Sequence, residues 1–199
     1  MPEGLAEVDA GAGADVREQL MLDARDVLTR WTAPSPQQDG LRRDYLAHLE
    51  AHPDGLWREG PPEHLTASCF VLDDTFEHAL LCLHGKGRFW VQCGGHLEPG
   101  DRTLADAAVR EAREESGLAT LTLLSGGPAD LDRHALSSAF GRCAEHLDVA
   151  FVATADRDDA TAVSAESDDV AWWPVNALPD GVVPDLPRRL HALVARLTG

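Results

Sequence analysis

The chain has 199 residues and a formal net charge of −17 at pH 7, with 44% hydrophobic and 26% charged residues. This length suits one domain with a proper core, and the composition is that of a globular protein. The strong negative charge argues against binding a nucleic-acid polymer, which requires a basic surface. It does not argue against a small anionic substrate, because a bound cation can reverse the local field.

The first segment, residues 1–14, contains the glycine- and alanine-rich "AGAGAD" and is predicted to be a flexible arm. It lacks the basic and apolar regions of a signal peptide, and no apolar run in the sequence is as long as a membrane span. No CxxC pair or disulfide-scaffold spacing is present, which predicts reduced thiols at Cys69, Cys82, Cys93 and Cys143. We therefore expect a cytoplasmic protein.

Two helices are predicted next, Asp15–Trp31 and Pro36–His52, on either side of the helix-breaking "TAPSP". Apolar residues in each helix are spaced to form a packing face. Together the helices make an N-terminal helical appendage over residues 15–60. We interpret this appendage as a packing or dimerisation element, with a lid over the substrate as the alternative.

Short apolar runs then follow one another between polar turns, which is typical of β-strands. We predict strands within "LTASCFVLDD", "HALLCLHG", "RFWVQC", "LATLTLLSG", "LDVAFVATA" and "DVAWWPV", and a closing helix over Asp185–Leu197. The acid-rich stretch 155–169 is predicted to be a loop. With a further helix after the third strand, this order predicts an α/β (α+β) fold, a mixed sheet with helices on both faces, over residues 61–199.

The helix after the third strand is predicted over residues 104–116. The pattern T-x-x-D that starts at Thr103 is that of a capping box, and Gly117 suits a left-handed C-terminal cap. At the helical period, an apolar stripe that should face the core is formed by Leu104, Ala107 and Ala108.

Three carboxylates continue this stripe through the last turns of the helix, those of Glu111, Glu114 and Glu115. Two carboxylates ~6 Å apart repel by roughly 2–3 kcal/mol at an effective dielectric constant of about 20. The negative end of the helix dipole adds a further penalty. A divalent cation relieves both, and oxygen-only ligands favour Mg²⁺, with Mn²⁺ as a substitute, over zinc.

The glycine pair and the helix that follows it resemble the Nudix box, G-x5-E-x7-R-E-U-x-E-E-x-G-U with U aliphatic. Gly95 opens the pattern, and residues 110–118, "REAREESGL", complete it. Asp101 stands in place of the first Glu, with one extra residue before the helix. Alternatively, Arg102 occupies the strict Glu position, and the contact to Arg110 is absent. The resemblance implies the Nudix fold, an α/β/α sandwich with a mixed sheet, preceded here by the helical pair.

The resemblance also implies roles for the residues at matching positions. Arg110 would orient Glu111, and Glu111 would either bind metal or act as general base. The implied metal ligands are Glu111, Glu114, Glu115 and a backbone carbonyl of Gly94 or Gly95.

Two residues outside the helix are further candidates. His96 follows the glycines and is predicted to contact substrate phosphates, with an exposed loop histidine as the alternative. Some Nudix proteins supply a glutamate from a loop shortly before a Trp-containing strand, and Glu166 precedes Trp172 in that way. We predict that Glu166 is a catalytic residue, and its competitors for this role are Asp168 and Asp169.

The sequence therefore predicts a Mg²⁺-dependent pyrophosphohydrolase. Its substrate would be a small nucleotide, either a nucleoside diphosphate linked to a second group or a nucleoside triphosphate. The alternatives are a non-catalytic nucleotide-sensing module with the same fold and a prenyl-diphosphate isomerase, for which Cys93 is the candidate cysteine. We expect no nucleic-acid polymer and no membrane as partners, and a homodimer is left open.

Overall fold

The computed structural model describes residues 10–124, 127–136, 141–164 and 167–199, with the backbone alone for residues 10–15. The helices are Ala10–Arg30 (α1), Pro36–Ala51 (α2), Leu104–Ser116 (α3) and Leu186–Thr198 (α4). The strands are Glu63–Leu72 (β1), His78–His84 (β2), Trp90–Val91 (β3), Cys93–His96 (β4), Thr122–Leu123 (β5), Asp130–Ala135 (β6), Glu145–Thr154 (β7) and Ser167–Pro174 (β8). Among the described residues, no helix has the length and apolar character needed to cross a membrane.

All the strands named above belong to one mixed sheet, with β1 and β7 paired in parallel at its centre. On the side away from β7, β1 pairs with β4 along its middle and with β2 at its end, both antiparallel. The free edge of β7 is covered in the same way by β6 and β5, and β2 continues the sheet to β3 and β8. The glycine pair of β4 therefore lies beside the central strand.

Successive side chains of β1 point to opposite faces of the sheet and so belong to two different hydrophobic cores. Cys69 and Val71 belong to the core that α1, α2 and α3 cover, whereas Phe70 and Leu72 belong to the core beneath α4. Helices thus cover both faces of the sheet. The predicted α/β/α sandwich with a mixed sheet is confirmed.

The N-terminal helical pair is packed into the same core as α3. Its buried residues include Leu20, Ala24, Leu28, Tyr45 and Leu49. The Gln38 amide donates to the Leu131 carbonyl at 2.8 Å and accepts from the Leu131 N–H at 2.7 Å, and the Tyr45 hydroxyl donates to Asp132 O at 2.6 Å. These side chains of α2 thus hydrogen-bond backbone groups of β6. The backbone groups of an exposed sheet edge otherwise stay unpaired. The boundary near residue 60 stays a prediction.

The predicted elements differ from the observed ones in four places. Helix α1 begins at Ala10, before the predicted start, the strand at "RFWVQC" is split into β3 and β4, and β5 is short. Strand β6 was not predicted. Its alternate residues Asp130 and Asp132 face the buried Arg189 of α4, with N–O distances of 2.5 and 3.5 Å, so one face of the strand is acidic and gives no apolar alternation.

Candidate active site

Helix α3 has the ends that the sequence predicts. The Thr103 hydroxyl accepts a hydrogen bond from the Asp106 N–H at 2.9 Å, and Gly117 closes the helix in the left-handed region with a φ of 72°. A second N-terminal cap comes from α1, because Asp23 Oδ2 accepts from the Leu104 N–H at 2.8 Å. Two backbone donors of the first turn are therefore satisfied, each by a side chain from a different segment.

The carboxylates of α3 extend from the sheet toward solvent. The buried side of the helix is formed by Leu104, Ala107, Ala108 and Ala112. Glu111 continues that side with 14% of its side chain exposed, and Glu115 is also partly buried. Glu114 is 57% exposed, so it lies at the rim rather than facing inward with the other two.

The glycine pair of β4 approaches two of these carboxylates directly. The Gly94 N–H donates to Glu115 Oε2 at 2.9 Å. A Cβ at Gly94 would lie 2.4 Å from the Ser68 Cβ on β1, and a Cβ at Gly95 would lie 2.7 Å from both carboxyl oxygens of Glu111. Neither position has room for a side chain, and the backbone of β4 is therefore within reach of the carboxylate site.

Arg110 connects the loop before α3 with its carboxylates. Its guanidinium donates to both oxygens of Asp101 at 3.0 Å, to Glu111 Oε1 at 3.0 Å and to Glu114 Oε2 at 3.1 Å. It also donates to the His96 carbonyl at 2.9 Å. Burial opposes the guanidinium charge, but the Asp101 hydrogen bonds and the nearby Glu111 and Asp101 charges outweigh it and raise the Arg110 pKa.

Asp101 is held in place from several sides. It is 4% exposed, its Oδ2 accepts from the Glu98 N–H at 2.7 Å, and its own N–H donates to the Glu98 carbonyl at 3.0 Å. Arg102, the alternative for this position, is exposed. The structure thus places Asp101, and not Arg102, against Arg110.

The oxygen donors of this site fit a hard divalent cation such as Mg²⁺. Two thiols also lie near Glu115: Cys82 and Cys93, whose Sγ atoms are 3.0 Å apart. Cys93 is fully buried, and its hydrogen bond to Cys82 together with that burial raises its pKa well above the ordinary thiol value. Cys93 is therefore a poor nucleophile at neutral pH.

The His96 side chain packs among other histidines. Its ring centroid lies 5.2 Å from that of His64 and 5.1 Å from that of His146, and its Nε2 is 4.0 Å from the Cys143 Sγ. We call these four residues the histidine cluster. The predicted contact of His96 with substrate stays a prediction. The cluster was not predicted, because it forms only when β1, β4 and β7 pair.

The three imidazoles of the histidine cluster have lowered pKa values. Burial is the largest cause for each, and it brings the pKa of His96 to about 4 and that of His146 to about 3. Burial also lowers the pKa of His64. All three rings are therefore neutral at pH 7.

The third predicted catalytic residue, Glu166, lies outside the described residues. Its two competitors have other partners: Asp168 pairs with Arg88, and Asp169 Oδ1 accepts from the Val170 N–H at 2.8 Å. These contacts occupy both aspartates at the start of β8.

Comparisons with known proteins identify the family of the chain. The family model for the NUDIX domain matches residues 62–194. A NUDIX-family hydrolase from Clostridium perfringens has 24% identity and a TM-score of 0.54, with 67% of this chain and 97% of that chain covered. A C. elegans Ap4A hydrolase has 18% identity and a TM-score of 0.55, with 68% and 98% covered.

The E. coli dihydroneopterin triphosphate pyrophosphohydrolase has 15% identity and a TM-score of 0.54, with 66% of this chain and 95% of that chain covered. At these identities, the structural likeness shows the fold. No curated protein sequence matches the chain. The family model spans more than half of the chain, and α3 carries the box that defines the family. The chain therefore belongs to the Nudix family and is a hydrolase that acts on diphosphate bonds with a divalent metal.

Proposed function

We propose that this Nudix hydrolase uses Mg²⁺ to cleave a nucleotide substrate, either a nucleoside diphosphate linked to a second group or a nucleoside triphosphate. The observation that carries the proposal is the convergence of the α3 carboxylates, Arg110 and the glycine pair at one place. Arg110 offsets part of the repulsion among these acids, and a divalent cation would offset more of it. A diphosphate fits such a site because the cation neutralises the negative charge of the phosphate oxygens.

The proposed metal ligands are Glu111, Glu114, Glu115 and a backbone carbonyl of Gly94 or Gly95, with Mn²⁺ as a substitute for Mg²⁺. A cation held by these residues would neutralise charge on the phosphate oxygens and polarise the phosphorus that water attacks. Glu115 is held by the Gly94 N–H, and Glu111 by Arg110. The carboxylates are thus positioned before substrate binds, which lowers the reorganisation needed in the transition state.

In the proposed reaction, water forms a bond to one phosphorus and the bridging P–O bond breaks, so that a phosphate group leaves. A carboxylate must accept the proton of the attacking water. Arg110 donates to one Glu111 oxygen, and this contact stabilises the carboxylate as an anion that can bind the metal. We therefore assign the general base to Glu166. Glu111 remains the alternative base.

The structural neighbours support the substrate class. One of them is an Ap4A hydrolase and another a dihydroneopterin triphosphate pyrophosphohydrolase, and both Ap4A and dihydroneopterin triphosphate contain phosphoanhydride bonds. The isomerase alternative is disfavoured because Cys93, its candidate cysteine, is fully buried beside Cys82. A cytoplasmic location stays a prediction of the sequence, and a homodimer stays open. The predicted contact of His96 with substrate is disfavoured, because its ring packs against His64 and His146 on the sheet face opposite α3.

A panel of substrates tests the proposal. Dinucleoside polyphosphates, nucleotide sugars, ADP-ribose, CDP-alcohols and nucleoside triphosphates are incubated with Mg²⁺ or Mn²⁺, and the released phosphates are separated. We expect turnover of at least one compound that depends on the metal. Binding of a nucleotide without turnover of any compound would instead support the nucleotide-sensing module.

A further inference from the structure

The histidine cluster is separate from the carboxylate site. Paired residues of a sheet share a face, so His64, its partner His146, and His96 opposite Thr66 lie on the face that carries Phe70. That is the face covered by α4, whereas α3 covers the other. Cys143 joins the cluster from the segment before β7. The cluster therefore gathers residues from three strands and one connection.

Four candidate ligand atoms meet in this cluster. One nitrogen from each histidine and the Cys143 Sγ all lie within 4.8 Å of one another. In a tetrahedral zinc site, Zn–N bonds of about 2.0 Å and a Zn–S bond of about 2.3 Å put the ligand atoms about 3.5 Å apart. The cluster therefore needs to contract by roughly 1 Å to surround one ion.

The ring nitrogens of the cluster include lone pairs that no hydrogen bond between described residues uses, which indicates that a metal ion could bind at its centre. His64 is fully buried, and its Nδ1 faces the Pro61 carbonyl at 3.2 Å, so Nδ1 carries the proton and Nε2 keeps its lone pair. The buried Nε2 atoms of His64 and His146 have no hydrogen-bond partner within the described part of the chain. A backbone carbonyl on one nitrogen and a free lone pair on the other is the usual arrangement of a metal-binding histidine.

From this geometry we propose that His64, His96, His146 and Cys143 bind one Zn²⁺ ion. The donor set of three imidazole nitrogens and one thiolate suits zinc, unlike the oxygen donors on α3, which suit Mg²⁺. Binding releases the Cys143 thiol proton to solvent and leaves the oxidation states unchanged. With four protein ligands, the ion has no open position, so its role is structural.

The ion would tie together the elements that shape the active site. His96 is the residue that follows the glycine pair, and its carbonyl accepts from Arg110 at 2.9 Å. His64 lies on β1 and His146 on β7, the central strands of the sheet, and Cys143 lies just before β7. Zinc would therefore fix the end of β4 from the face opposite α3. This site does not depend on the proposed substrate or on the Mg²⁺ site.

Cobalt titration of the whole protein tests the proposal. Reduced, chelator-treated protein is titrated with Co²⁺ and then with Zn²⁺ in millimolar Mg²⁺. We expect one Co²⁺ per chain, with the visible absorption of a tetrahedral ion and a thiolate-to-cobalt charge-transfer band that Zn²⁺ abolishes. Cys143→Ser should remove the charge-transfer band and weaken Zn²⁺ binding at least ~100-fold, since loss of an outer partner alone costs ~10–100-fold.

Two variants serve as controls. His134→Gln changes a histidine whose ring lies 5.4 Å from His146 but which is outside the proposed ligand set, and it should keep the cobalt spectrum. Glu114→Gln should keep it as well, because it alters the carboxylate site alone. A wild-type protein without the tetrahedral spectrum, a charge-transfer band that survives Cys143→Ser, or a band lost in Glu114→Gln would overturn the proposal.

A second measurement needs no variant of the cluster. Zn²⁺ should protect Cys143 in the wild-type protein from alkylation by iodoacetamide, measured by mass spectrometry of the peptides. The other three cysteines are still more deeply buried and provide the internal reference. Alkylation of Cys143 at the same rate with and without Zn²⁺ would contradict the assignment.

Discussion

Arg110 is the residue on which the carboxylate site depends most. It donates to the side chains of Asp101, Glu111 and Glu114, and a fourth contact goes to the backbone of β4. Such charge-assisted contacts are stronger than neutral ones and fix direction, especially where both oxygens of one carboxylate are engaged. Replacing any one partner therefore changes the position of the remaining acids.

The first prediction concerns Asp101. Asp101→Ala removes the two-oxygen contact to Arg110 and leaves that guanidinium partly unpaired, so we expect kcat to fall ~10-fold or more and stability by about 1–3 kcal/mol. Arg102→Ala, its exposed neighbour, should change both by little. Steady-state kinetics and urea unfolding check this pair. A larger effect for Arg102→Ala would contradict the placement of Asp101.

The second prediction separates the two glycines. Gly95→Ala puts a methyl group 2.7 Å from the Glu111 carboxyl, and a side-chain end can move, so we expect a fall in kcat of ~10-fold or more with little loss of stability. Gly94→Ala instead meets Ser68 on the neighbouring strand and should destabilise the fold. Gly100→Ala has nothing within 4 Å and is the control. Unchanged kcat in Gly95→Ala would mean that Glu111 does not need its observed position.

At the scale of elements, α3 is the part that depends on the N-terminal helices. Asp23 of α1 caps its first turn, and the core residues of α1 and α2 belong to the same cluster as those of α3. These helices therefore support the active-site helix directly. Their separate role as a dimer interface or a lid stays a prediction.

The third prediction tests this support. Asp23→Ala removes a cap from the Leu104 N–H, and loss of such a cap typically costs ~1 kcal/mol. Asp26→Ala, one turn on in the same helix, breaks only an exposed pair with Arg30 and should cost less than ~0.5 kcal/mol. Urea unfolding at neutral pH measures both. Equal free energies of unfolding for the two variants would show that α1 does not cap α3.

Short sequence patterns were enough to predict the elements whose formation depends on neighbouring residues. Thr103 and Gly117 indicated the ends of α3, and short apolar runs between polar turns indicated β1 and β7, because capping and burial act over a few residues. The sequence did not predict β6, because the acidic residues on one of its faces pair with Arg189, which is far along the chain. The sequence did not predict the histidine cluster either, because its residues are distant in sequence and come together only through strand pairing.

At the scale of the whole molecule, the neutral imidazoles make stability sensitive to acid. Burial, with charge from the neighbouring His64, His96, His134 and Arg58, lowers the His146 pKa to about 3. The unfolded chain has a histidine pKa of about 6.5 and therefore binds more protons below that pH. The stability contributed by a neutral His146 is thus present above pH 6.5 and is lost as the pH falls toward 3.

The fourth prediction follows from this proton linkage. In chelator-treated protein, the free energy of unfolding should fall between pH 6.5 and about 4.5, and less steeply in His146→Gln than in the wild type. His52→Gln, an exposed histidine, should keep the wild-type slope. Urea unfolding at several pH values gives the slopes. Parallel slopes for the wild type and His146→Gln would mean that His146 is not buried in its neutral form.

The central claim is that the α3 carboxylates hold the cation that hydrolysis requires. It is tested most directly by kcat as a function of Mg²⁺ concentration for Glu114→Gln, with Asp106→Asn, another exposed acid of the same helix, as the control. We predict that Glu114→Gln lowers kcat by ~10²-fold or more at saturating Mg²⁺ with the fold retained, while Asp106→Asn leaves it nearly unchanged. Turnover of Glu114→Gln close to that of the wild type would contradict the claim.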